Sequence, residues 1–169
     1  MSDTRMSNNG QHDFLAELAC MADFLEAAFA DLTPQARAED GAGGSFSPIE
    51  HIWHLADLEQ QGFSERIRRL LAEDEPELED FAGARIAREG RYKERSWAQG
   101  IAAFRSARNA NLERLRGLDA AQWQRRGTQQ GVGPMALCDL PGLMAEHDAS
   151  HRDEIDQWLR WHGERIDAD

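Results

Sequence analysis

The amino-acid sequence predicts an all-α protein, a four-helix bundle, and three observations carry that prediction. Apolar residues recur at steps of three and four in four long segments. Two of those segments open with a helix-capping signature. No segment shows the strict alternation of a half-buried strand, and no repeat or low-complexity stretch is present. With 169 residues, 41% of them apolar and 30% charged, the chain has the length and balance of one globular domain with its own core. The expected organisation is a disordered tail over residues 1–10, one bundle domain over 11–163, and a C-terminal tail over 164–169.

The first helix is predicted over Gln11–Ala30, where Phe14, Leu15, Leu18, Met21, Leu25 and Phe29 mark one face. Thr33-Pro34 restarts the chain as a short helical turn, because proline suits the first helical position. Gly41–Gly44 reads as a flexible connector. Ser47-Pro48-Ile49-Glu50 is a capping box, and the second helix should run from it to about Ala72, with Ile52, Leu55, Leu58, Ile67 and Leu70 inward. Residues 76–95 lack periodicity and are long for a link between antiparallel neighbours, which suits a crossover from one end of the bundle to the other. Ser96 to Gln99 opens the third helix, which carries Ile101, Phe104, Leu112 and Leu115 and stops at Gly117. Asp119 to Gln122 caps a short piece before a glycine-rich loop, Gly127–Pro134. The last helix starts after Asp139, since Pro141 is tolerated only in a first turn, and ends at Gly163.

Composition excludes several classes. No apolar run of about 18 residues exists, so no membrane span is expected. The polar start, MSDTRMSNNGQHD, lacks the apolar stretch of a signal peptide, and the cytoplasm is the expected compartment. Acidic residues outnumber basic ones 31 to 19, for a net charge of −12, which disfavours nucleic acid and anionic membranes as partners. Cys20 and Cys138 sit in helical apolar patterns and read as buried, inert thiols. Trp53, Trp97, Trp123, Trp158 and Trp161 read as core and interface anchors, and His12 and His162 as terminal, exposed side chains.

The informative feature is histidine placement. His147 and His151 are four apart, so both imidazoles share one helix face, about 6 Å apart at the base. They continue the inward stripe of Leu140, Leu143, Met144, Ile155 and Trp158, where leucine is expected. Buried imidazoles need a partner, either a metal ion or hydrogen bonds to carboxylates. The second helix offers a third nitrogen from His54 or from His51 one turn earlier, and spacing alone does not separate the two.

These residues resemble a family. HLADLE at 54–59, after the capped SPIEHIW, is similar to the second-helix motif of the DinB-like superfamily, and EHDASHRDEI at 146–155 is similar to its fourth-helix motif. The resemblance follows order and spacing over residues 11–162. It implies a left-handed up-down-down-up bundle with a long crossover between helices 2 and 3, usually a homodimer. It also implies a Zn or Ni ion on His54, His147 and His151, and so prefers His54 over His51. The family commonly has Gln three residues after the last histidine, where this chain has Glu154, a candidate partner of an imidazole or a fourth ligand.

A three-histidine site with an open position lowers the pKa of a bound water, or holds a thiol as thiolate. Relatives that the chain resembles include thiol S-transferases using bacillithiol or mycothiol, a mycothiol-dependent isomerase and metal-dependent hydrolases, so a metal-dependent enzyme acting on a small molecule is expected, with a transferase using a low-molecular-weight thiol leading and a hydrolase as the alternative. Asp57, Glu59, Glu146 and Asp148 are candidate general bases, with Asp57 first because it lies three positions after His54. Arg108 and Asn109 are candidate contacts to a substrate anion. The competing expectations are a non-catalytic, metal-stabilised or metal-sensing dimer, and a metal-free bundle whose histidines are held by carboxylates.

Overall fold

The computed structural model describes residues 8–166 and, of their side chains, those from Phe14 onward. The outer parts of the two expected tails, 1–7 and 167–169, lie outside the described residues, whereas 8–10 and 164–166 are helical. The first bundle helix is α1 (Asn8–Ala19), continued after a break at Cys20 by α2 (Met21–Ala28). A short α3 (Pro34–Arg37) follows, with Thr33 accepting from the Ala36 N–H at 3.2 Å. The second bundle helix is α4 (Pro48–Asp57), a π-helical segment over Leu58–Phe63, and α5 (Ser64–Ala72). Its start is fixed as the sequence predicts, with Glu50 accepting from the Ser47 N–H at 3.0 Å. The crossover contains α6 (Gly83–Glu89), the third bundle helix is α7 (Trp97–Arg116), and α8 (Ala120–Trp123) carries both halves of its Asp119–Gln122 capping box. The fourth bundle helix is α9 (Leu140–Ile166), which starts after Asp139 and runs three residues beyond Gly163.

Two apolar clusters stack along the bundle. One gathers Leu15, Leu18, Leu58, Leu70, Leu115 and Met144. The other gathers Met21, Leu25, Ile52, Leu55, Phe104 and Ile155. The first helix therefore enters the first cluster and then the second, as does α9, while α4–α5 and α7 run the opposite way. This is the up-down-down-up arrangement. The parallel second and third helices approach closely at Gly100, where an added Cβ would stand 2.7 Å from Ile52 Cγ2.

Three details depart from the sequence reading. The chain contains strands: β1 (Glu77–Leu78) pairs in parallel with β2 (Arg126–Gln129), which forms an antiparallel hairpin with β3 (Gly133–Ala136). These strands are two to four residues long, and the two of the hairpin each contain a glycine, so they are too short to show alternation in sequence. The second helix is not uniformly α. Leu58 and Phe63, five apart, both enter the first cluster because a π turn brings i and i+5 onto one face. The cysteines are not both buried, since Cys20 is exposed and Cys138 half-buried.

Candidate metal centre

The four bundle helices leave a polar layer between the two apolar clusters. On α9 it spans His147 to His151, between Ala145 and Ile155; on α7 it spans Arg108 to Asn111, between Phe104 and Leu112. The π segment turns Glu59 into the same layer.

His54, His147 and His151 come together there, each offering one ring nitrogen, with those atoms all within 4.8 Å of one another. Ring centroids lie 4.5 Å apart for His147 and His151, 5.0 Å for His54 and His151, and 5.7 Å for His54 and His147. The walls are aromatic: Phe46 and Phe81 pack on His54 and Phe63 on His147, at centroid distances of 5.5, 5.9 and 6.2 Å. The crossover closes over His54 at Gly83, where a Cβ would stand 2.8 Å from the imidazole Cε1. Any larger residue there would displace the ring.

Burial among these rings and the mutual proximity of the histidines hold the imidazoles neutral. Desolvation first, then His147, lowers His54 to about 4. Desolvation, then the Arg108 charge, lowers His147 to about 4. Desolvation and the three neighbouring histidines lower His151 to about 2. Neutral imidazole is the ligating form. The Nδ1 atoms of His54 and His147 are buried with no hydrogen-bond partner. Two orphaned nitrogens in an apolar enclosure are costly, and a cation shared with His151 relieves that cost. The residues present fit a divalent ion that favours nitrogen ligands.

His51 and Glu154 occupy the outer side of His151. The Nδ1 atoms of His51 and His151 are 2.9 Å apart, so one ring donates to the other. Glu154 Oε2 lies 3.7 Å from His151 Nδ1 and 3.9 Å from His51 Nδ1. His151 is thereby engaged through Nδ1, which leaves its Nε2 for an ion. The geometry separates the two histidines that spacing did not: His54 faces His147, and His51 backs His151. His51, His151 and Glu154 also form a compact trio of their own.

Asp57 is not gathered with the histidines. Its carboxylate accepts from the Tyr92 hydroxyl at 2.7 Å and pairs with Arg95 at 3.5 Å, which ties α4 to the end of the crossover. Both partners come from the crossover, where nothing in the motif around His54 could announce them. Arg108 does not face a substrate either. It is 1% exposed, donates to Asp148 at 2.7 and 3.0 Å and to the Leu18 carbonyl at 3.0 Å, and pairs with Glu59 at 3.0 Å. Asn109 points to solvent, and the buried amide is Asn111, which donates to the Glu59 side chain at 2.9 Å and to its carbonyl at 3.1 Å. Glu59 and Asp148 are thus consumed by Arg108, and Glu146 is exposed. His162 is not free at the surface, because it stacks on Trp158 with centroids 4.6 Å apart; His12 lies among residues whose side chains are outside those described.

A cavity of about 280 Å³ opens onto His54 and His147, with Phe63, Phe81 and Leu143 as apolar lining and Arg66 and Gln129 as polar lining. A second hollow of about 410 Å³ adjoins it and shares Arg66, Asp80 and Phe81. Sequence reading missed Arg66 and Gln129, since neither belongs to a motif and both arrive through tertiary packing.

The family model of the DinB superfamily matches residues 18–155. The chain belongs to the DinB superfamily. Among solved structures it is similar to YfiT from Bacillus subtilis, described as a probable metal-dependent hydrolase with an unusual four-helix bundle topology. That similarity has a TM-score of 0.86 at 18% identity, covering 96% of this chain and 93% of the other, and it shows the shared fold. None of the curated proteins matches the chain. No helix among the described residues is long and apolar enough to cross a membrane.

Proposed function

We propose that this DinB-superfamily chain is a metal-dependent enzyme acting on a small molecule, with His54, His147 and His151 holding a zinc or nickel ion beside the 280 Å³ cavity. The observation that carries the reading is the pair of buried, unpartnered Nδ1 atoms on His54 and His147 at the wall of an open cavity. A divalent ion held there would act as a Lewis acid and lower the pKa of a nucleophile brought to it. The protein's own groups do the rest. Phe46, Phe63 and Phe81 keep bulk water from the imidazoles, His51 orients His151, and the Arg108 ion-pair cluster fixes α9 against α7 and the π segment.

Hydrolysis is the first reading, in keeping with the function described for YfiT. Transfer of a low-molecular-weight thiol, the expectation drawn from the family resemblance, is the second. The adjoining 410 Å³ hollow favours it, because a transferase must seat two reactants and the two cavities share a wall. A homodimer with no nucleic-acid or membrane partner completes the proposal. Elemental analysis of untagged protein tests the metal, with about one zinc or nickel per chain expected. Ester, amide and thiol-conjugation substrates assayed on loaded protein then test the chemistry. Stoichiometric metal with turnover that His147→Ala abolishes supports the reading; metal-free protein, or turnover indifferent to that substitution, overturns it.

A further inference from the structure

We infer that Arg66 is the anchor for a carboxylate on the substrate, so that the cavity beside His54 and His147 takes a small monoanionic organic acid. This names the substrate class of the site proposed above and rests on that reading only for which end of the acid reacts. Arg66 is 9% exposed, yet its Nε is buried without a hydrogen-bond partner. Among the described residues the carboxylate paired with it is that of Asp80, whose Oδ1 stands 4.0 Å from Nη2, beyond hydrogen-bond reach, on a side chain 69% exposed. The guanidinium instead lies over the Phe63 ring at 5.4 Å. The guanidinium is thus only loosely paired, with no carboxylate among the described residues in hydrogen-bond contact, and it lines the very cavity that His54 and His147 line.

Arg108, one layer away, also leaves its Nε unpartnered, but it shows what this fold does with the charge of a structural arginine: it places two carboxylates and a carbonyl within about 3 Å of the terminal nitrogens. Arg66 has no such set. A carboxylate entering the cavity supplies it, in the planar paired geometry that guanidinium favours. One arginine with an acidic neighbour balances a single negative charge better than two, which selects a carboxylate over a phosphate monoester. Gln129 adds a second requirement, because its Oε1 is buried, unpartnered and on the same cavity wall. It calls for an N–H or O–H donor on the ligand. Phe81 and Leu143 call for an apolar group beside the two polar ones. The volume, about 280 Å³, is at the small end of ligand pockets.

N-acetyl-leucine carries all three features and N-acetyl-leucinamide lacks only the charge, so the pair serves as probe. Binding is followed by amide chemical-shift titration of the full chain, stripped of metal and again loaded with zinc. The acid should bind the metal-free protein at least tenfold more tightly than the amide, and Arg66→Met should remove that preference while zinc stoichiometry is unchanged. Gln129→Leu should weaken the acid about threefold. Equal binding of acid and amide by wild type overturns the assignment whether or not Arg66→Met folds. Binding of the acid only after zinc loading, unchanged in Arg66→Met, also overturns it, because the carboxylate is then on the ion. Tighter binding of phenyl phosphate than of the acid overturns the choice of carboxylate. Acid preference in a protein that takes up no zinc sustains the anion site and removes the metal reading alone.

Discussion

Two buried polar clusters lie side by side in this bundle, and they are built on opposite terms. In the first, the Arg108 guanidinium is paired with Glu59 and Asp148 and bonded to the Leu18 carbonyl, with Asn111 bonding Glu59 behind it, so that only the Arg108 Nε lacks a hydrogen-bond partner among its nitrogens. In the second, His54 and His147 each bury a nitrogen with nothing to bond. Both clusters draw on the second and fourth bundle helices, so local burial does not distinguish them. The difference is pairing: Arg108 meets two carboxylates, and the His54 and His147 Nδ1 atoms meet no protein group. An ion-paired network fixes how helices sit, whereas nitrogens with no protein partner beside a cavity mark where something else is meant to bind.

The contrast can be broken first with acid. The unfolded chain titrates its histidines near 6.5, while the folded, metal-free protein holds His51, His54 and His147 near 4 and His151 near 2. Below pH 6.5 the unfolded state binds more protons, so stability is full above that pH and is lost as pH falls toward 4, by on the order of 1–2 kcal/mol per histidine at pH 5. Denaturant melts from pH 7.5 to 5 check this. Zinc-loaded protein should resist acid until protons displace the ion, and a flat profile for the metal-free form would contradict the burial argument.

Removing one partner from the ion-paired cluster comes next. Arg108→Met leaves Glu59 and Asp148 buried without their cation and should cost about 3–5 kcal/mol. That is a fall in melting temperature of roughly 10 °C for a domain of this size, read by calorimetry. His147→Leu should behave in the opposite way. It removes an orphaned nitrogen, so the metal-free melting temperature should hold or rise. The stabilisation by zinc, about 2.7 kcal/mol at a hundredfold excess over Kd, should vanish. A large loss in metal-free His147→Leu would mean that the two clusters are alike after all.

Smaller effects sharpen the boundary between them. Gly83→Ala should push the His54 ring out of place and weaken zinc binding about tenfold at unchanged fold, measured by competition with a chelating dye. Tyr92→Phe removes one hydrogen bond to Asp57 and should cost about 1 kcal/mol in melts, with zinc affinity unaltered. Loss of zinc binding in Tyr92→Phe would return Asp57 to the metal centre.

Much of this was legible in the sequence. The four bundle helices follow from apolar spacing and from caps such as Ser47–Glu50, because those signals are local. His147 and His151 were recognisable since helical spacing alone puts them on one face. What was not legible depends on contacts made at a distance. The π segment over Leu58–Phe63 leaves an ordinary helical composition, yet it decides that Glu59 points inward. Asp57 and Arg108 were attractive for their chemistry, and only folding shows that Tyr92, Arg95, Glu59 and Asp148 already occupy them. Arg66 and Gln129, which no motif singles out, reach the cavity from α5 and β2.

A crystal structure of zinc-soaked protein with anomalous data at the zinc edge tests the central claim most directly. One anomalous peak within bonding distance of ring nitrogens from His54, His147 and His151, open toward the Phe63 and Phe81 cavity, is the predicted result. A peak on His51 and Glu154 without His54, or no peak among these histidines, would contradict it.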